Sequence, residues 1–210
     1  MKKEVRTIEI ENLEIRSGEE GKTTIAGYAA RFEKLSVPLW GFREKIRAGA
    51  FSGSLTNNIK ALWNHNSDLV LGSTKGGSLV LEEDEKGLRF ELDLPDTTWG
   101  RDAAESIRRK DVDGVSFGFR TKRDEWDETN PKDVVRTLID VELLEISPTP
   151  FPAYPSTNVG VRSTEDVFNE FITQRGAEDK VAGEERQAQA RRVRELQLLE
   201  LVYKEDKSNE

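Results

Sequence analysis

The chain has 210 residues, enough for one well-cored domain plus an appendage but not for two full domains. Its net charge is −8, with Lys and Arg scattered among Asp and Glu, which argues against a nucleic-acid or anionic-membrane surface and favours protein partners. The absence of cysteine excludes disulfides, thiolate metal sites and cysteine nucleophiles, and no apolar run approaches the ~20 residues of a membrane span.

Met1-Lys2-Lys3-Glu4 opens the chain without the apolar stretch of a signal peptide, so a soluble protein of the cytoplasm is expected. An apolar fraction of 35% beside a charged fraction of 34% implies that part of the chain lies outside any core.

From residue 7 to about 160 the pattern is mainly β: short alternating runs rich in β-branched and aromatic residues, punctuated by Gly, Pro, Asn and Asp. Strands are expected over Thr7 to Ile15, Thr23 to Phe32, within Leu39 to Ile46, and over Ile59 to Asn64, Ser78 to Glu82, Leu88 to Leu94, Val115 to Arg123 and Val134 to Ile146. Glu82 to Gly87 reads as a hairpin turn.

One helix interrupts the strands. Thr97 or Thr98 caps a segment with Ala103, Ala104 and Ile107 at helical spacing and basic residues in its last turn. The composition changes after Phe151-Pro152-Ala153-Tyr154-Pro155.

From Ser163 the chain is charged and helix-favouring. Val167, Phe168, Phe171 and Ile172 form a short apolar face, a break is expected over Gly176 to Gly183, and a second helix over Glu184 to Tyr203. Such helices bury little alone, so residues 1–162 are read as the folded domain and 163–210 as a mobile or partner-docking helical tail. The fold class expected is α+β, mainly β with flanking helices.

Two stretches carry chemistry. Ala61-Leu62-Trp63-Asn64-His65-Asn66 holds the only histidine of the chain. Gly114-Val115-Ser116-Phe117-Gly118-Phe119 matches the G-x-S-x-G pattern of a nucleophilic serine. An α/β-hydrolase is excluded, because there the histidine follows the serine and the serine sits on a strand-to-helix elbow. Here the histidine precedes the serine and the residues after Ser116 read as strand, with Val115, Phe117 and Phe119 on one face and Gly114, Ser116 and Gly118 on the other.

A serine needs a base to remove its proton, and imidazole is the natural one near neutral pH, so His65 is the candidate. The flanking glycines are read as room for a substrate backbone. A carboxylate should orient the imidazole. Leu138 to Ser147 offers Asp140, Glu142 and Glu145; with Val141 and Leu143 inward, parity turns Asp140 and Glu142 outward with Ser116, although a bulge would reverse this. Against these readings stands the general experience that a lone histidine beside a tryptophan is more often structural. Tyr28, Trp40 and Trp63 are read as core or rim aromatics.

Taken together, Ile25-Ala26-Gly27-Tyr28-Ala29-Ala30-Arg31-Phe32, Ile46 to Phe51, Leu62-Trp63-Asn64-His65-Asn66, Gly114 to Phe119, and Leu143-Leu144-Glu145-Ile146-Ser147 leading into Phe151-Pro152-Ala153 resemble the prohead serine proteases of tailed bacteriophages, relatives of the herpesvirus assemblins. The resemblance implies a compact, mostly antiparallel β-barrel, with His65 as general base and Ser116 as nucleophile. For the third group, the family's acid before the Ile-Ser pair falls on Glu145, whereas the assemblin strand pattern falls on Asp140; parity puts Asp140 first and Glu145 second.

Pro148, Pro150 and Pro152 stand where assemblins carry an arginine-rich oxyanion loop, so that feature does not transfer. The function implied is a serine endopeptidase acting in the host cytoplasm inside the assembling procapsid. It would cut scaffold-like segments of the major capsid protein and its own chain, without cofactor or metal and without nucleic-acid or membrane partners; an assemblin-like homodimer is compatible with this. The rival is a catalytically inactive, protease-like module that binds scaffold or capsid protein.

Overall fold

The structure is a computed structural model that describes residues 2–9, 13–18, 22–150 and 163–178 and positions 181, 185, 189 and 192. The chain divides into two compact units, Met1–Glu165 and Asp166–Glu210. The first carries β1 (Glu4–Glu9), β2 (Glu14–Ser17), β3 (Thr23–Arg31), β4 (Arg43–Ile46), β5 (Lys60–Trp63), β6 (Asn66–Ser73), β7 (Leu79–Glu83), β8 (Gly87–Asp93), α1 (Thr98–Arg108), β9 (Gly114–Asp127) and β10 (Val135–Thr149).

The strands make two open sheets. One runs β1-β9-β10-β5-β6 with β4 also on β10, the other β2-β3-β8-β7. The expected closure into a barrel is not seen among the described residues. β10 explains why: one edge pairs with β9 along its length, while the other is shared by two short parallel strands, β4 at Val135 to Leu138 and β5 at Glu145 to Ile146. Between them the edge is completed by the Ala50–Ser54 segment, where Val141 N donates to Ala50 O (2.9 Å) and Leu143 N to Ser54 Oγ (3.1 Å). An edge divided in this way satisfies its backbone groups without ring closure.

Alternation along β9 and β10 puts Val115, Phe117, Phe119, Val141, Leu143 and Ile146 into the apolar core, together with Ile25 of β3 and Leu88, Phe90 and Leu92 of β8. Phe51 meets Phe117 edge-on at 5.6 Å between ring centroids, an arrangement favoured by the ring quadrupoles. The helix begins as its sequence requires: Thr97 accepts from Gly100 N at 3.2 Å.

Three local expectations need correcting. The run Thr7 to Ile15 is two strands in different sheets, β1 against β9 and β2 against β3. Asn66–Ser73, too polar at its start to read as strand, pairs with β5 as β6. The chain is helical over 164–178, so no break occurs at 176–178. Most of the expected Glu184 to Tyr203 helix lies outside the described residues, as do Phe151-Pro152-Ala153 and with them Pro152.

Candidate active site

His65 sits at the tip of a two-residue hairpin between β5 and β6, where Trp63 pairs with Asn66. Asn64 and His65 have φ of 48° and 61°, the left-handed values that a type I′ turn requires at both central positions. Asn and His are both among the non-glycine residues that adopt this conformation most readily, and the turn is further held by its neighbours.

The holding comes from the end of β10. Asn64 N donates to Pro148 O (3.1 Å), Thr149 Oγ1 to Asn64 Oδ1 (3.0 Å), and His65 N to Ser147 Oγ (3.2 Å). Pro148, which cannot donate, thus serves the turn through its carbonyl.

The His65 side chain is 8% exposed, and its Nδ1 lies 2.7 Å from Glu145 Oε1. Glu145 Oε2 accepts from Ser147 Oγ at 2.7 Å, and Oε1 also meets Lys3 Nζ at 3.0 Å. Burial pushes the Glu145 carboxyl up, but the hydrogen bond and charge of His65, the charge of Lys3 and the Ser147 hydroxyl together hold it below the usual carboxylate value. An ionised carboxylate only accepts hydrogen bonds, so Nδ1 carries the hydrogen; in the neutral form of the ring Nε2 then presents a lone pair.

Glu145 reaches the imidazole because of a β-bulge. The β9–β10 register passes from Leu143 opposite Phe119 directly to Glu145 opposite Gly118, so Leu144 is an extra residue and the parity beyond it reverses. Glu145 and Ser147 therefore share the face that Ser116 and Gly118 occupy. Asp140 lies before the bulge: its carboxylate is 45% exposed, 4.0 Å from Lys122 Nζ. Glu142 pairs with Arg120 at 3.1 Å. Of the three carboxylates read from the sequence, Glu145 is the one in contact with His65, and the preference for Asp140 on parity fails at Leu144.

Ser116 is 1% exposed, opposite Ser147 on β10 and Thr7 on β1, and its hydroxyl bonds to Thr7 Oγ1. At Gly118 the space left by the missing side chain is taken by Glu145 and Lys3. A Cβ there would fall well inside van der Waals contact with Glu145 Oε1 and Lys3 Cε, so the absent side chain is what lets the carboxylate and the lysine stem lie over β9.

Lys3, Thr7 and Ser147 escaped the reading by residue type. Ser147 was visible as half of the Ile-Ser pair; Lys3 and Thr7 carry no local signal. Among the described residues, no group of three or more His, Cys, Asp or Glu is placed to hold a metal ion.

The model of the caudovirus prohead serine proteases matches residues 11–170. The chain belongs to that family. This makes it a serine protease of phage capsid maturation, in agreement with the resemblance carried by its motifs. Among solved structures, the capsid assembly protease gp21 of bacteriophage T4 is similar at 11% identity, with a TM-score of 0.43, over 69% of this chain and 98% of that one. No curated protein matches the chain. No described helix is long and apolar enough to cross a membrane.

Proposed function

We propose that this prohead-family protease cleaves scaffold-like segments of the major capsid protein, and its own chain, inside the assembling procapsid, using Ser116, His65 and Glu145. The observation that carries the reading is the imidazole pinned by a buried, ionised Glu145 at the end of the strand whose Ser147 faces Ser116.

In the reaction, the Ser116 hydroxyl turns from Thr7 toward Nε2. His65 takes its proton as Oγ attacks the scissile carbonyl, and the imidazolium then delivers that proton to the leaving amine. Water repeats the sequence: His65 takes a proton from it, hydroxide adds to the acyl carbon, and the proton returns to Ser116 Oγ as the acid product leaves. Throughout, Glu145 accepts from Nδ1 and stabilises the imidazolium without itself taking up a proton.

The reading is tested by Ser116→Ala and His65→Ala. The parent is expected to give a time-dependent shorter species by intact mass and to process co-expressed capsid protein; each variant should abolish both, while circular dichroism stays that of the parent. Normal processing by either variant would refute the assignment.

A further inference from the structure

An imidazole against a buried carboxylate holds a proton tightly, and a base that is already protonated cannot accept one. A cation beside Glu145 would weaken that hold. Lys3 Nζ stands 3.0 Å from Oε1, the same oxygen that takes His65 Nδ1 at 2.7 Å.

Its placement is built into the fold. β1 alternates: Glu4 and Arg6 enter an ion cluster with Arg136 and Glu44, which anchors the strand, while Lys3 and Thr7 lie on the Ser116 face. Gly118 supplies the space that the lysine stem crosses.

Among the described residues, charges on neighbouring elements face other partners or solvent. Lys60 of β5 bonds to Asn58 Oδ1 at 3.2 Å, Arg120 and Lys122 of β9 face Glu142 and Asp140, and Asp68 of β6 is exposed.

We propose that Lys3 is a positioning residue for the catalytic pair: its ammonium holds Glu145 Oε1 in place and opposes protonation of His65, so that the imidazole remains a base at lower pH than it would beside Glu145 alone. The inference rests on the catalytic reading given above and specifies how that site is tuned. Lys3 acts through Glu145, the group its ammonium meets.

His65 is the only histidine of the chain, so the ring C–H signals of one residue report its titration directly by NMR. The full chain would be titrated as the parent and as Lys3→Met, Lys3→Gln and Lys3→Arg. In parallel, Ser116 would be labelled with a fluorophosphonate across the same pH range, read by intact mass with Ser116→Ala as control.

Removing the cation beside Glu145 should raise the imidazole midpoint in Lys3→Met and Lys3→Gln, and move the acid limb of the labelling rate in the same direction and by a like amount. Lys3→Arg should keep both near the parent values. A midpoint unmoved in both neutral variants, or moved as far in Lys3→Arg, overturns the role of the charge. Failure of the parent to be labelled at Ser116 overturns the catalytic reading beneath it, an outcome told apart because the titration needs no activity.

Discussion

Two buried carboxylate clusters share β1, β9 and β10 and differ in the cation that faces them. In one, Glu4 and Glu44 meet the guanidinium of Arg136, which is itself 1% exposed, at 2.7 and 2.9 Å, with Arg6 and Asp124 completing the cluster. Burial opposes the charge of Glu4, but the hydrogen bond and charge of Arg136, helped by Arg6 and Thr121, hold its carboxyl down at about 2. Burial likewise opposes the charge of Arg136, and Glu44, Glu4 and Asp124 outweigh it, leaving the guanidinium harder to deprotonate than usual.

In the other cluster Glu145 meets an imidazole and an ammonium. Guanidinium never changes its charge in the working range, so the first cluster has one electrostatic state and serves as an anchor. Imidazole changes charge near neutrality, and the second nitrogen of His65 is not engaged by Glu145, so this cluster can move protons. The same carboxylate chemistry on the same strands becomes structural or reactive according to the titration range of its partner.

The contrast can be broken first at the reactive end. Glu145→Gln keeps the shape of the side chain but removes the charge that orders and stabilises the imidazolium, and should slow peptide cleavage by about 10³ to 10⁴. Asp140→Asn should leave the rate within about twofold, as expected of a half-exposed carboxylate outside the constellation. Equal losses in the two, measured on one capsid-protein substrate, would undo the distinction drawn from the bulge.

At the anchoring end, Arg136→Met leaves Glu4 and Glu44 buried without their central partner and should cost about 3–5 kcal/mol in urea unfolding. A change below about 1 kcal/mol would mean that the cluster is not an anchor.

The third test uses pH. Glu4 has a folded-state value of about 2 against an ordinary 4.5, so the stability it contributes is present above pH 4.5 and is lost as pH falls through the interval down to about 2. The contribution is about 3 kcal/mol. Denaturant titrations of the parent should lose stability over that interval, and Glu4→Gln, already weakened at neutral pH, should lose correspondingly less of it. Parallel curves for the two would assign the acid sensitivity elsewhere.

Part of the proposed constellation was legible in residue types. Alternation in Val115 to Phe119 put Ser116 away from the apolar core face, and a single histidine left one choice of base. The hairpin at Asn64-His65 had a signal in Asn64, whose tolerance of left-handed backbone marks turns, but a tryptophan-bearing apolar run before it read as strand to its end.

The amino-acid sequence by itself determined the mainly β character and a helix capped at Thr97 or Thr98, and it singled out a charged tail and, as candidates for chemistry, His65 and Ser116. These follow from local periodicity, capping and side-chain chemistry, which neighbouring residues carry. The tertiary structure alone decided which acid meets the histidine and what else surrounds it. Glu145 reaches a residue 80 positions away, and Thr7 one 109 positions away. One extra residue at Leu144 turns Glu145 onto the Ser116 face, and a period-two pattern in a single strand cannot announce such a step, because a bulge exists only as a mismatch between two paired strands.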